Sequence, residues 1–122
     1  MRNIKNCEQY SRNSRLINKV EDYIELHKNE KIVLKDIVDY IGMSAYHFHR
    51  IFKMCTSETL NEYILRFKLE RSSVYLKINI KISITELAYA YGFSESSAYT
   101  RAFKKHFGIS PVMFRKQQDM SS

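Results

Sequence analysis

Tyr46, His49, Arg50 and Lys53 fall at i, i+3, i+4 and i+7, so on a helix they share one face, and each carries a hydrogen-bond donor. Such a stripe can donate to base edges or to phosphates along the groove of a duplex. Fifty-one residues further on, Ser97, Thr100, Arg101 and Lys104 repeat the spacing with mostly shorter side chains. Each stripe is backed by an apolar one: Phe48, Ile51, Phe52 and Cys55 in the first segment, Tyr99, Ala102, Phe103 and His106 in the second. The inward stripes agree while the outward ones differ. That is the pattern of one scaffold used twice, because packing constrains the inner positions and the target's chemistry the outer ones.

Other chemistry open to these residue types is opposed by their spacing. His47 and His49 invite a metal ion, but positions i and i+2 on a helix point about 200° apart, and catalytic zinc pairs sit at i and i+4. No metal site is expected. Cys7 and Cys55 make neither a disulfide framework nor a zinc cluster, and Cys55 reads as core filler. There is no recognisable Ser-His-acid or Cys-His arrangement and no glycine-rich phosphate loop, so neither an enzyme nor a cofactor is expected. The aromatic residues Phe48, Phe52, Tyr99, Phe103, Phe107 and Phe114 lie at helical spacing and are read as core rather than as a platform for stacked bases.

The elements that must hold the two stripes are also duplicated. Leu34, Ile37, Val38, Ile41 and Gly42 map onto Ile84, Leu87, Ala88, Tyr91 and Gly92 at an offset of fifty, while Arg50, Phe52 and Lys53 map onto Arg101, Phe103 and Lys104 at fifty-one. One residue is therefore inserted between Gly92 and Arg101. Further on, Ser57, Thr59, Leu60 and Tyr63 correspond to Gly108, Ser110, Pro111 and Phe114. Repeated units imply a repeated task.

Three glycines and one proline leave most of the chain free to be helical. A first amphipathic helix is expected over 14–29 with Ile17, Val20 and Ile24 inward, after a flexible terminus over 1–12. A second is expected over 34–41, closed by Gly42 in the left-handed conformation and followed by the apolar Met43. Ser44 is a good N-cap for a third, which completes a helix-turn-helix. Residues 58–77 read as one long helix with Leu60, Tyr63, Ile64, Phe67, Val74 and Tyr75 as apolar contacts. A helix of that length makes a strut of roughly 30 Å, close to the roughly 34 Å of one DNA turn. One chain could then do what usually takes a dimer, with DNA bending at a cost of about 1 to 6 kcal/mol.

The 122 residues suit one compact unit or two small subdomains sharing an element. A net charge of +7 and a pI near 9.4 point to a polyanionic partner, nucleic acid before an anionic membrane surface. No stretch reaches the roughly 18 apolar residues of a membrane span, and the opening residues lack a secretory apolar core. A cytoplasmic location is expected.

The segments GMSAYHFHRIFK, SETLNEYILRFKLERS and ITELAYAYGFSESSAYTRAFKKHFGISPVMFR resemble the DNA-binding domain of the AraC/XylS family of bacterial transcription regulators, over about residues 14 to 116. The resemblance implies an all-α fold of about seven helices, two helix-turn-helix subdomains (13–57 and 78–118) joined by the central helix 58–77, with a flexible tail over 119–122. It also implies recognition of promoter DNA in consecutive major-groove segments. Binding of double-stranded DNA by a monomer is expected from the length of the strut, and contact with RNA polymerase if the protein activates. Carried over by position, base contacts would come from Tyr46, His49 and Arg50 in the first copy and from Ser96, Ser97, Thr100 and Arg101 in the second. Phosphate contacts are assigned to Ser44, His47, Lys53, Ser94 and Lys104. His47 is read as flanking a phosphate or packing at the helix edge, and His49 as meeting a base or a phosphate. Tyr46 can touch a thymine methyl, while Lys53 and Lys104 neutralise phosphates.

The chain departs from the family pattern at Ser57, where glycine is usual, and at Ser96, Ser97 and Ala98, where longer amides are common. Direct readout in the second copy would then rest mainly on Arg101, with specificity skewed to the first half-site. No part of the chain is left over for an effector domain, and regulation by a small ligand is not expected. A sequence-specific regulator is therefore preferred to a non-specific architectural protein, whose affinity would come from charge alone. An RNA-binding module lacks its usual strand-borne aromatics.

Overall fold

The computed structural model describes the backbone of residues 4–120 and the side chains of residues 14–117. Seven helices and no strand occur among them: α1 (Ile4–Leu26), α2 (Leu34–Ile41), α3 (Ala45–Cys55), α4 (Leu60–Ile78), α5 (Ile84–Ala90), α6 (Ser96–Phe107) and α7 (Pro111–Met120). The backbone is helical from Ile4, ten residues before the start read from the sequence, and α1 ends at Leu26 rather than residue 29. Residues 4–13 contain no helix breaker but also no apolar period, so nothing in their pattern announced a helix. Of the termini expected to be flexible, residues 1–3 and 121–122 lie outside the described residues, as does the side chain of Cys7.

The chain divides into two compact units, Met1–His27 with Ile32–Tyr63, and Lys28–Lys31 with Ile64–Ser122. In the first, α1 packs on α2 and α3. Leu16, Val20, Tyr23 and Ile24 of α1 are buried, with Ile37 and Val38 of α2 and Phe48 and Phe52 of α3. The α1 stripe therefore includes Leu16 and Tyr23, while Ile17 is only half-buried.

In the second unit Leu69 and Leu76 of α4 join Leu87, Ala88, Tyr91, Tyr99 and Phe103 in one core, with Phe93, Phe107 and Phe114 packed against it. Here α4 corrects the sequence reading. Tyr63, Ile64 and Phe67 are buried as expected, but Val74 is 47% and Tyr75 36% exposed. Beyond Phe67 the buried positions are Leu69, Ser72, Ser73 and Leu76, a stripe at i, i+3, i+4, i+7 that two serines hide from any search for apolar periodicity. Both serines are satisfied within the helix, donating to the Leu69 carbonyl at 2.7 Å and the Glu70 carbonyl at 2.6 Å. α4 itself starts at Leu60, because Thr59 and Glu62 form a reciprocal capping box: the Thr59 N–H donates to Glu62 Oε1 at 2.9 Å and the Glu62 N–H to Thr59 Oγ1 at 3.1 Å.

The two helix-turn-helix turns close alike. The Met43 N–H donates to the Val38 carbonyl at 3.2 Å, and the Phe93 N–H to the equivalent Ala88 carbonyl at 3.0 Å. Each follows a glycine in the left-handed region, Gly42 at φ 84° and Gly92 at φ 85°. The surroundings differ. A Cβ on Gly42 would meet nothing within 4 Å, whereas one on Gly92 would lie 2.9 Å from the Lys28 carbonyl oxygen. Both alanine variants incur the left-handed penalty of about 1 to 2 kcal/mol. Gly92→Ala is expected to cost about 1 kcal/mol more than Gly42→Ala, since a backbone oxygen yields less easily than a side chain. Equal urea midpoints for the two variants would contradict this.

Candidate nucleic-acid interface

α3 begins at Ala45 because the Ser44 hydroxyl accepts the His47 N–H at 3.1 Å, which leaves its own proton available to a phosphate oxygen. Phe48 and Phe52 then turn inward, 0% and 3% exposed, with their rings stacked at 5.3 Å. Phe52 meets the Tyr63 ring edge-on at 5.5 Å, and the Tyr63 hydroxyl donates to Glu21 at 2.5 Å. This anchoring aims the opposite face outward. Tyr46 is 75% exposed, and His47, His49, Arg50 and Lys53 are exposed beside it, the His49 ring lying edge-on 6.1 Å from Phe48. The first donor stripe is thus brought together on one solvent face.

α6 keeps the same register. Tyr99 and Phe103, both 0% exposed, occupy the places of Phe48 and Phe52. The Tyr99 hydroxyl lies 2.7 Å from Ser72 Oγ, whose own proton goes to the Leu69 carbonyl, so Tyr99 is the donor. Burial pushes the Tyr99 phenol up to about 12, against smaller opposing pulls from Ser72 and Arg115, and it stays protonated in this role. Outward lie Ser97, Arg101 and Lys104, with Ser96 and Thr100 half-buried at the margin.

The inserted residue is absorbed before the helix starts. Glu95, not Ser94, is the N-cap of α6, in extended conformation and without a side-chain cap bond. Ser94 is exposed in the turn one position earlier, so it is not the structural counterpart of Ser44. From Ser96 onward the whole helix follows the offset of fifty-one. His106 departs from its expected inward place: it is exposed, with Nε2 3.3 Å from Glu70 Oε2. Lys105, overlooked in the sequence, is exposed next to Lys104 and lengthens the basic end of the helix; the run Lys104, Lys105, His106 was the available signal.

Neither α3 nor α6 contains an acidic residue. By contrast Lys35 on α2 is tied to Asp39 at 3.0 Å, a pairing that raises its ammonium above its ordinary value. Cys55 is half-buried, and burial raises its thiol. Among the described residues no three His, Cys, Asp or Glu side chains converge to hold a metal ion, and no helix is long and apolar enough to cross a membrane.

Residues 37–117 match the family described as a helix-turn-helix domain. The chain is 36% identical over 110 residues to the Msm operon regulatory protein of Streptococcus mutans, covering 90% of this chain and 39% of that protein. It is also 36% identical over 107 residues to the probable transcription factor PqrA of Proteus vulgaris, covering 86% of this chain and 87% of that one. In structure it resembles a transcriptional regulator with an AraC-type DNA-binding domain from Chromobacterium violaceum, at a TM-score of 0.75 and 26% identity over 86% of this chain and 93% of the other. The chain therefore spans less than two-fifths of the first of these relatives and most of the other two.

Proposed function

The chain belongs to the AraC/XylS family of helix-turn-helix transcription regulators, and from that premise we propose that it binds double-stranded promoter DNA with α3 and α6 in successive major-groove segments. The observation that supports this reading is the pair of acid-free helices, each with a buried aromatic pair at the same register and an outward stripe of donors. Tyr46, His49 and Arg50 read the first segment; Arg101 leads the second, helped by Ser96, Ser97 and Thr100. Arg50 and Arg101 suit guanine, whose O6 and N7 accept a bidentate guanidinium. Ser44, His47, Lys53, Ser94 and Lys104, joined by Lys105, hold phosphates and set the register. A monomer acting in the cytoplasm suffices for binding, with the two units as separate reading heads and α4 leading from one to the other. Contact with RNA polymerase completes the role if the protein activates.

Arg50 and Lys53 test the division of labour. On the best duplex from a random-pool selection, Arg50→Ala is expected to cost about 1 to 3 kcal/mol and to relax preference at one base pair. Lys53→Ala should weaken all duplexes alike and lower the salt slope by about one. Fluorescence anisotropy at two salt concentrations reads both. Equal losses on selected and random duplexes for Arg50→Ala would refute a base-reading role.

A further inference from the structure

The first unit contains a groove whose lining includes none of the outward donor residues. Leu16 forms its floor, Ile41, Met43 and Ile51 its half-buried walls, and Arg15 and Lys19 its exposed rim, around a volume of about 230 Å3. Arg15 and Lys19 stand four residues apart on α1, hence on one face of it. Among the described residues neither forms an ion pair, and no acid lines the groove. The second unit places rings at the corresponding positions: Tyr91, 2% exposed, where the first has Ile41, and Phe93, 5.3 Å from the Tyr99 ring, where it has Met43. The first unit has the branched Ile41 and the unbranched thioether Met43 in place of those rings.

We propose that this groove binds a small organic acid, its compact apolar body against Leu16, Ile41, Met43 and Ile51 and its carboxylate between Arg15 and Lys19. Charge complementarity selects the anion, because among the described residues two cations and no carboxylate border the apolar surface. Size selects a small ligand: the volume falls below the roughly 300 to 1,000 Å3 of pockets for drug-sized molecules. Met43 belongs to the turn and Ile51 to α3, so the occupant touches the helix that carries Tyr46, His49 and Arg50. It would thus be an effector site inside the DNA-binding unit.

The test is an NMR titration of the full chain with 4-phenylbutyrate, without DNA, so that its outcome is independent of the DNA-binding reading. Saturating shifts are expected at the methyl groups of Leu16, Ile41, Met43 and Ile51, with a Kd below about 1 mM. 4-Phenyl-1-butanol, which keeps the body and loses the charge, should bind at least about tenfold more weakly. Arg15→Glu with Lys19→Glu should weaken the acid by a similar factor while the melting temperature is unchanged; if melting falls, Arg15→Gln with Lys19→Gln carries the same comparison. Shifts that never saturate, equal affinity for acid and alcohol, or indifference to the charge changes would overturn the site. Shifts at the same residues on raising the protein concentration alone would instead make the groove a contact between copies of the chain.

Discussion

Phe52→Ala is expected to destabilise the first unit by about 3 to 5 kcal/mol, enough to unfold much of it at ambient temperature given the marginal stability of small domains. The ring is 3% exposed, stacked on Phe48 and edge-on to Tyr63, so its removal loses the transfer energy of the side chain and leaves a void between α3 and the start of α4. Tyr63 is itself held through its hydroxyl to Glu21, and a neighbour tied in that way cannot swing over to fill the space. With no tryptophan in the chain, urea unfolding is best followed by far-ultraviolet circular dichroism. Lys53→Ala, one residue away but exposed, serves as the control and should stay within about 0.5 kcal/mol. An unaltered unfolding midpoint for Phe52→Ala would disprove the assignment of α3's inner face.

The second large effect lies in the choice between two kinds of DNA binding. A chain of net charge +7 will adhere to any duplex by counterion release, so affinity alone cannot separate a regulator from an architectural protein. The ratio between a best site and random sequence does. We expect a ratio of at least about 10³, equivalent to about 4 kcal/mol, on a site composed of two adjacent segments. Much of that discrimination should come from the segment read by α3, where Tyr46, His49 and Arg50 are long and exposed. α6 offers Arg101 and short hydroxyl side chains, two of them half-buried. Random-pool selection followed by footprinting of the monomer reports sequence, footprint length and stoichiometry together. A ratio near one, with a single short protected stretch, would favour the architectural reading.

Much of this architecture was legible because it is written in local terms. Ser44 caps α3 through a contact only three residues long, and Gly42 and Gly92 adopt the positive φ that their positions at the ends of apolar periods suggest. The stripes on α3 follow from helical periodicity, since a residue's neighbours at i+3 and i+4 determine which face is apolar before any partner is present. α6 obeyed the same rule except at His106. There the exposed ring lies 3.3 Å from the Glu70 carboxylate of α4, a neighbour that no spacing within α6 could reveal.

What the sequence by itself determined, then, was the helical class, the duplication and the outward donor stripes, all of which depend on residues within a turn or two of one another. Only the tertiary structure decided which face of α4 is buried, because Ser72 becomes a core residue through Tyr99, twenty-seven positions away. It alone placed the inserted residue at Ser94, in the turn before the N-cap Glu95, where lengthening a connection costs far less than shifting a helix whose buried Tyr99 and Phe103 hold its register. The groove beside Leu16 is also its product: an unfilled volume depends on how α1, α2 and α3 meet, and no single segment encodes the space between them.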